Sequence, residues 1–509
     1  MFYTQWWLPV AAAVILSGCA TLPRDRGIGD VRSMVSDRRG HVLSEPDSET
    51  QKLVADLLAT PLTAESTVQI ALVNNPRMRA EYARLGLAAA EVYTAGRLSN
   101  PRFSVATLFS NAADAANQVT FGLAQSFTDL LLLPARSRLA KGEFERAKQE
   151  AGSAIIELAA DVESAYYQLV GAMQVAVLRG TVGKAAQVSA DLAQRLFDAG
   201  IINALDLALE QSATSQARLN TLRAETGVVT ARNALNRLMG LRAGDDRWLV
   251  ADRLPAPLDQ EDDYDELLQL AWQSRLDLAA KRTEVDLLAD SLGVTRSYRY
   301  VGGIDVGVAT ERETDRTRIT GPSLSLELPI FNSGAGKVAR AEALMDQAEA
   351  ELQTLALNIG NDVQLAHAQV LAARALAEQF RSALIPQRET VVRRTQEEVN
   401  FMIKGQFELL SAKQQEYDAY QGYLEAVRDY WLARTDLARE VGARLPSQTR
   451  VGSGTVGPTV LPDVPPPGMQ HMHQGGATLP AAEEEEGQFE TEPPADDAWP
   501  PSQQHDHSQ

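Results

Sequence analysis

The sequence predicts a mainly α-helical protein with a β-barrel part, built as two tandem repeats of a strand pair plus a long coiled-coil helical hairpin. Three observations carry this prediction. First, Ile155, Leu158, Val162, Ala165, Leu169, Ala172 and Ala176 step alternately by three and four residues. That spacing keeps an apolar seam on one side of a helix, as in coiled-coil packing. Second, the seam recurs 201 positions later as Ala356, Ile359, Val363, Ala366, Val370, Ala373 and Ala377. Third, two segments of alternating apolar and small or polar residues precede each seam, at the period of two that a strand requires.

The chain opens with an apolar run, Leu8 to Ile15, shorter than the ~20 residues needed to span a bilayer. Small residues follow it, as before the cleavage site of a secretory signal. Residues 1–18 are therefore expected to be a signal peptide and 19–60 an N-terminal anchored segment. Leu16-Ser17-Gly18-Cys19 resembles the bacterial lipobox, and Cys19 is the only cysteine of the 509 residues. The resemblance implies cleavage after Gly18 and acylation of Cys19. No Lys or Arg precedes the apolar run, a departure from the usual signal pattern; the other reading is a cysteine buried in an N-terminal helix.

Repeat 1 is assigned to 61–240 and repeat 2 to 274–445. "NNPRMRAEYARLGLAAAEV" from Asn74 shares its layout with "SRLDLAAKRTEVDLLADSL" from Ser274. The strand segments are "PRFSVATLF" and "QVTFGLAQSF" in the first copy, "GGIDVGVAT" and "GPSLSLELPI" in the second. Phe103, Val105, Phe121 and Leu123, with Ile304, Val306, Leu324 and Leu326, fall on one side of the alternation. One apolar face fits a barrel strand of about 9–11 residues in lipid; a soluble sheet packed on helices is the alternative. Four strands cannot close a barrel, because the smallest have about eight, so a membrane role requires several chains to share one.

Helical patterning runs from about Leu139 to Phe197, breaks at Ala199-Gly200, and resumes from Ala204 to Met239. In the second copy it runs from Lys337 to Ile403, breaks at Lys404-Gly405, and resumes to Val441. Gly200 and Gly405 are placed at the two reversals because glycine tolerates positive φ; matching them sets the offset there at 205. A helix of about 60 residues is roughly 90 Å long. Residues 241–273 form a linker, in which "EDDYDELLQLAWQSRLDL" from Glu261 reads as a short helix and Trp272 as a packing residue. Residues 446–509 form an acidic, Pro/His-rich tail with ten acids against one base from Ser447 onward, a composition expected to be disordered.

The formal net charge of −19 argues against nucleic acid as a partner, since phosphate binding needs clustered Lys and Arg. No G-x-S-x-G, P-loop, Rossmann glycine pattern or H-E-x-x-H occurs, so no catalytic residue and no enzyme activity are expected. Four of the six histidines lie in the tail. Met469, His471, Met472 and His473, with His505 and His507, supply thioether and imidazole donors suited to copper, Met favouring Cu(I). The same run also reads as inert low-complexity sequence. His367, inside a helical repeat, is expected to face a tunnel or solvent.

The lipobox-like start, the duplicated strand pairs and hairpins, "NNP" opening the first copy and "LELPIF" leading into "GAGKVARAEA" in the second together resemble a TolC-type outer-membrane efflux lipoprotein over roughly residues 61–445. The resemblance implies a homotrimer whose twelve strands form one transmembrane barrel above a periplasmic α-helical tunnel. It implies a periplasmic adaptor meeting the hairpin tips at Gly200 and Gly405, and an inner-membrane pump of the resistance-nodulation-division type. It implies outer-membrane localisation, no cofactor beyond the lipid on Cys19, and copper only as transient cargo. Asp206, just after the first turn, is the candidate acid at the tunnel entrance, or else an acid stabilised by the helix macrodipole. Ser411 stands as its counterpart in the second copy, so two acids per subunit are not expected. A periplasmic adaptor-like scaffold would need one hairpin flanked by β domains, and a metal-sequestering lipoprotein would leave the repeat unexplained.

Overall fold

The computed structural model describes residues 25–39, 48–109, 111, 116–242, 244–245 and 247–450. The expectations placed on Cys19, on Met469, His471, Met472 and His473, and on His505 and His507 lie outside the described residues. Helices α1 (Ile28–Arg39), α2 (Ser48–Leu58), α3 (Ala64–Asn74) and α4 (Pro76–Ala95) lead into strands β1 (Arg102–Leu108) and β2 (Gln118–Ser126). The first hairpin is α5 (Phe127–Asp198) and α6 (Ala204–Met239). Repeat 2 follows as α7 (Tyr264–Ser274), α8 (Leu276–Tyr298), β3 (Ile304–Arg312) and β4 (Arg318–Leu326). Its hairpin consists of α9 (Ala335–Gln379), a π-helical turn (Phe380–Leu384), α10 (Ile385–Asn400) and α11 (Gln406–Val441), with α12 (Pro446–Arg450) closing the described chain.

The seam behaves as its spacing predicts. Ile155, Val162, Leu169, Ile359, Val363 and Val370 are each 0% exposed, and none of the fourteen seam residues is exposed. Helix α5 packs along α6 and α11, and α9 along α11 and α8, so α5 and α11 join the two hairpins. The first long helix starts at Phe127, not near Leu139. Ser126 caps it by accepting from the Asp129 amide at 3.4 Å. Pro134 lies inside its early turns, where it removes one backbone bond without ending a helix that packing sustains. At 72 residues and a rise of about 1.5 Å per residue, α5 is ~108 Å long.

Helices α6 and α11 are each 36 residues long, and their landmarks lie 202 positions apart throughout. The N-caps are Asn203 and Gly405, and the C-caps are Gly240 and Gly442, both left-handed at φ +69° and +71°. Left-handed glycine is a common helix stop. The positive-φ residue of the first reversal is Gly200 at +71°, and its counterpart at the second is Met402 at +59°. Gly405 is extended (φ −83°, ψ 163°) and serves as the N-cap. The sequence match of Gly200 with Gly405 was therefore three residues out of structural register, because a methionine occupies the left-handed position in the second turn.

The offset changes from 201 along the seam to 202 beyond the π turn. Leu158, Val162 and Leu169 are buried as are Ile359, Val363 and Val370; nearer the tip, Ala190 and Ala193 are buried as are Val392 and Thr395. One residue is inserted between these sets. The turn at Phe380–Leu384 absorbs it, with the Ile385 amide donating to the Phe380 carbonyl five residues back. A π bulge of this kind keeps the same face of the helix inward on both sides of an insertion.

Candidate functional site: the exposed sheet, the hairpin tips and the waist

The four strands form one antiparallel sheet in the order β1-β2-β3-β4. Register aligns the apolar positions across it. Phe103 pairs with Leu123 and Val105 with Phe121, Leu123 with Val308, and Val306 with Leu324 and Ile304 with Leu326. This face is open: Phe103 is 68% exposed, Leu123 54%, Val308 54% and Leu324 64%. The opposite face carries small and polar residues such as Ser104, Gly122, Ala309 and Gly321 in one row, with Leu108 and Ile319 as apolar exceptions. A Cβ on Gly122 would come within 2.6 Å of Ser104 Oγ, whereas one on Gly321 would meet nothing within 4 Å, so the row is crowded only at its β1–β2 end. The helices do not cover the apolar face, against the soluble-sheet alternative. Among the described residues, β1 and β4 have no strand on their outer edges.

At the first tip the Gly200 amide donates to the Phe197 carbonyl at 2.8 Å and the Ile201 amide to the Leu196 carbonyl at 2.8 Å. No atom lies near a Cβ built on Gly200, so its φ, not crowding, selects glycine. Asp206 and Asn203 form a reciprocal cap: the Asp206 amide donates to Asn203 Oδ1 at 3.0 Å and the Asn203 amide to Asp206 Oδ2 at 3.5 Å. The Asp206 carboxylate thus has a structural task as a helix cap. In the second turn Glu408, not Ser411, is its counterpart. It is the third residue of α11, and Glu408 Oε2 accepts from the Gly405 amide at 2.5 Å. Both tips therefore carry one acid at the same helical position. Apolar side chains project beside them: Ile201 is 69% exposed, Phe401 78% and Met402 94%.

Where the linker crosses the helices, a polar cluster missed by sequence reading is shut inside. Arg434 and Glu261 form an ion pair with side chains 1% and 4% exposed. Tyr430 Oη donates to Glu261 Oε1 at 2.6 Å and accepts from the Leu258 amide at 3.1 Å. Burial, with Glu261 beside it, pushes the Tyr430 hydroxyl well above its ordinary pKa, so it stays a donor. The Ser447 amide donates to Asp262 Oδ2 at 3.1 Å. His367 Nε2 lies 3.1 Å from the Asp262 carbonyl and its ring 6.0 Å from that of Tyr264. His367, partly exposed, thus packs against the linker. Trp272 packs partly buried against the adjoining core. No signal marked this cluster in the sequence, because its members are isolated polar residues from distant segments.

Among the described residues no helix is long and apolar enough to cross a membrane, and no group of three or more His, Cys, Asp or Glu is placed to hold a metal. Residues 67–241 match the family described as outer membrane efflux protein. The cobalt-zinc-cadmium resistance protein CzcC of Cupriavidus metallidurans is 25% identical over 340 residues, covering 64% of this chain and 77% of that protein. A membrane protein from Pseudomonas aeruginosa has a similar structure, with TM-score 0.64, 18% identity, and coverage of 74% of this chain and 93% of that one. The CmeC outer membrane channel of Campylobacter jejuni aligns with TM-score 0.61 at 15% identity, covering 74% and 85% of the two chains. Through its first repeat the chain is similar to the outer membrane efflux proteins, and the likeness of fold to the solved structures extends into the second repeat.

Proposed function

We propose that the protein is the outer-membrane channel component of a tripartite efflux system, a passive duct working as a homotrimer. The observation that carries this reading is the four-stranded sheet, apolar on one uncovered face and unpaired at both edges, set on a hairpin helix ~108 Å long. In hydrocarbon an open edge leaves backbone groups unsatisfied, and only closure with further strands removes it. Three copies would supply twelve strands, within the known range of barrels. The hairpins also carry uncovered apolar side chains at Val177, Val188, Leu222, Val229, Leu357 and Leu365, a pattern that suits packing against neighbouring copies.

In this reading the tips at Gly200 and at Met402–Gly405 meet a periplasmic adaptor, which couples the duct to an inner-membrane pump of the resistance-nodulation-division type. Asp206 and Glu408 place a ring of acids near the tunnel entrance. Acylated Cys19 ties the N-terminus to the outer membrane. The resistance protein CzcC supports metal ions as cargo, and the Met/His pairs of the tail add ligands for copper. The chain has no catalytic role in this scheme.

The test is membrane assembly. Phe121→Arg or Leu326→Arg puts a charge on the lipid face at a cost of about 2–4 kcal/mol near the midplane. Each should sharply lower the yield of heat-resistant trimer in outer membranes, while Ser325→Arg on the other face should be tolerated. Equal yields from all three variants would refute the barrel orientation. For cargo, truncation after Arg450 and joint replacement of Met469, His471, Met472, His473, His505 and His507 should each raise copper sensitivity at unchanged protein level. Unchanged tolerance would remove the tail from the export path.

A further inference from the structure

The cross-strand pairs on the apolar face of β3 and β4 change character in one direction. From the helical end outward, Ile304 stands opposite Leu326, Val306 opposite Leu324, Val308 opposite Pro322, Thr310 opposite Thr320, and Arg312 opposite Arg318. Eight residues separate the first pair from the last, about 27 Å at ~3.4 Å per residue. Three pairs are apolar, the fourth is two hydroxyls 3.1 Å apart, and the last is two arginines. The other face shows no such order: Asp305 stands opposite Ser325, Gly307 opposite Ser323, Ala309 opposite Gly321, and Glu311 opposite Ile319.

The arginine pair is costly as it stands. The Glu313 amide donates to the Thr317 carbonyl at 2.9 Å, so the next pair inward, Arg312 with Arg318, is of the non-hydrogen-bonded kind, with Cα atoms about 4.5 Å apart. Like charges directly opposite each other destabilise a sheet. Both arginines are exposed, and no carboxylate among the described residues pairs with either. At the same level β2 and β1 contribute Val119 and Thr107, so the row carries positive charge alone. Of the nearby acids, Glu311 lies on the other face, where Gln118 Nε2 donates to it. Asp315 Oδ1 accepts from the Thr317 amide at 2.8 Å and from its hydroxyl at 2.5 Å. Glu313 shares its turn with Arg316, whose charge offsets it.

A face that passes from apolar to hydroxyl to cation follows the polarity of a lipid leaflet, from hydrocarbon to headgroup. The arginines lie at the end of the sheet away from the helices, since β2 runs straight into α5 at the opposite end. Resting on the reading that this face meets lipid, we propose that Arg312 and Arg318 bind the phosphates of anionic lipids in the outer leaflet. Each planar guanidinium can take two phosphate oxygens at once, and the bound phosphates would remove the repulsion within the pair.

The experiment uses the full chain reconstituted into phosphatidylcholine vesicles, with increasing fractions of lipid A carrying its phosphates. The readout is the temperature at which the trimer dissociates. Lipid A should raise it for the wild-type chain in a saturable way; dephosphorylated lipid A, or inorganic phosphate added to plain phosphatidylcholine vesicles, should not. Each of Arg312→Gln and Arg318→Gln should weaken the apparent affinity for lipid A about fivefold, and the double variant roughly 25-fold. In plain phosphatidylcholine the double variant should be at least as stable as the wild type, because the like-charge pair is gone. Arg102→Gln, on the other face at the helical end, should leave the response unchanged. Equal responses of the wild type and the double variant would overturn the inference, as would a rise produced by inorganic phosphate or by dephosphorylated lipid A. A chain that forms trimers in phosphatidylcholine but ignores lipid A would overturn it and leave the channel reading standing; a chain that forms none in any vesicle would refute both.

Discussion

The two repeats are copies of one plan, yet they treat their second helices differently. Helix α11 is sandwiched between the α9–α10 segment and α5, and buries Tyr417, Tyr420, Tyr423 and Tyr430. Helix α6 lies mainly along α5 and leaves Leu205, Leu209, Leu219, Leu222 and Val229 exposed. Equivalent arginines show the same divergence. Arg232 stacks over the Trp248 ring at 4.6 Å and donates to the Trp248 carbonyl at 3.2 Å. Arg434, 202 positions later, is sealed against Glu261. Duplication preserved helix lengths and caps, while each copy's neighbours decided which side chains became core. Of the two second helices, α11 is the enclosed one and α6 offers the larger uncovered face.

The largest expected effect tests that contrast directly. Arg434→Ala leaves Glu261 buried and unpaired, at a cost of about 3–5 kcal/mol. Arg232→Ala loses a partly exposed stacking contact and its bond to the Trp248 carbonyl, at about 1–2 kcal/mol from these two contacts. Thermal unfolding of the two variants in detergent measures the difference; equal losses would mean the two arginines do the same work despite their surroundings.

The next concerns the inserted residue. Deleting Ser382, exposed within the π turn, should restore a continuous α-helix and keep both seam segments facing inward, changing stability by no more than about 1 kcal/mol. Deleting Gln364, also exposed but upstream, leaves the bulge in place and rotates Val370 and Ala377 by about 100° away from the seam. That should cost several times more, on the order of 3 kcal/mol for the misplaced apolar residues. If both deletions were equally harmful, the bulge would not be the site where the repeats lose register.

The smallest effects belong to the tips. Gly200→Ala should destabilise by about 1 kcal/mol, because an L-residue is strained at positive φ. Met402→Gly should be neutral or stabilising by less than about 1 kcal/mol, since relief of strain is offset by a more flexible unfolded chain. Opposite signs at equivalent turns would confirm that Met402, rather than Gly405, is the counterpart of Gly200.

Much of the fold was legible because it is written in periodicity. Alternating steps of three and four located the seam, and steps of two located the strands; both depend only on backbone geometry. The limits of α6 coincided with the expected Ala204 and Met239 because a capping Asn203 and a left-handed Gly240 mark them locally. The start of α5 lies some twelve residues before the expected Leu139, and Pro134 is accommodated in its early turns. Gly405 lies in the second reversal as expected, but the positive φ falls at Met402, because glycine is favoured there without being required. The acid at the second tip was missed for the same reason: a three-residue slip in register put Ser411 where Glu408 belongs.

By itself the sequence determined the duplication, the seam, the alternating strands and the absence of catalytic motifs, because each is a local pattern of residue types. The tertiary structure alone decided which residues from distant segments meet. It brought Glu261 to Arg434, set the strand register that leaves the apolar face uncovered, and placed the π turn that absorbs one residue. Such contacts depend on the mutual placement of elements tens to hundreds of residues apart, and no pattern of local spacing records that placement.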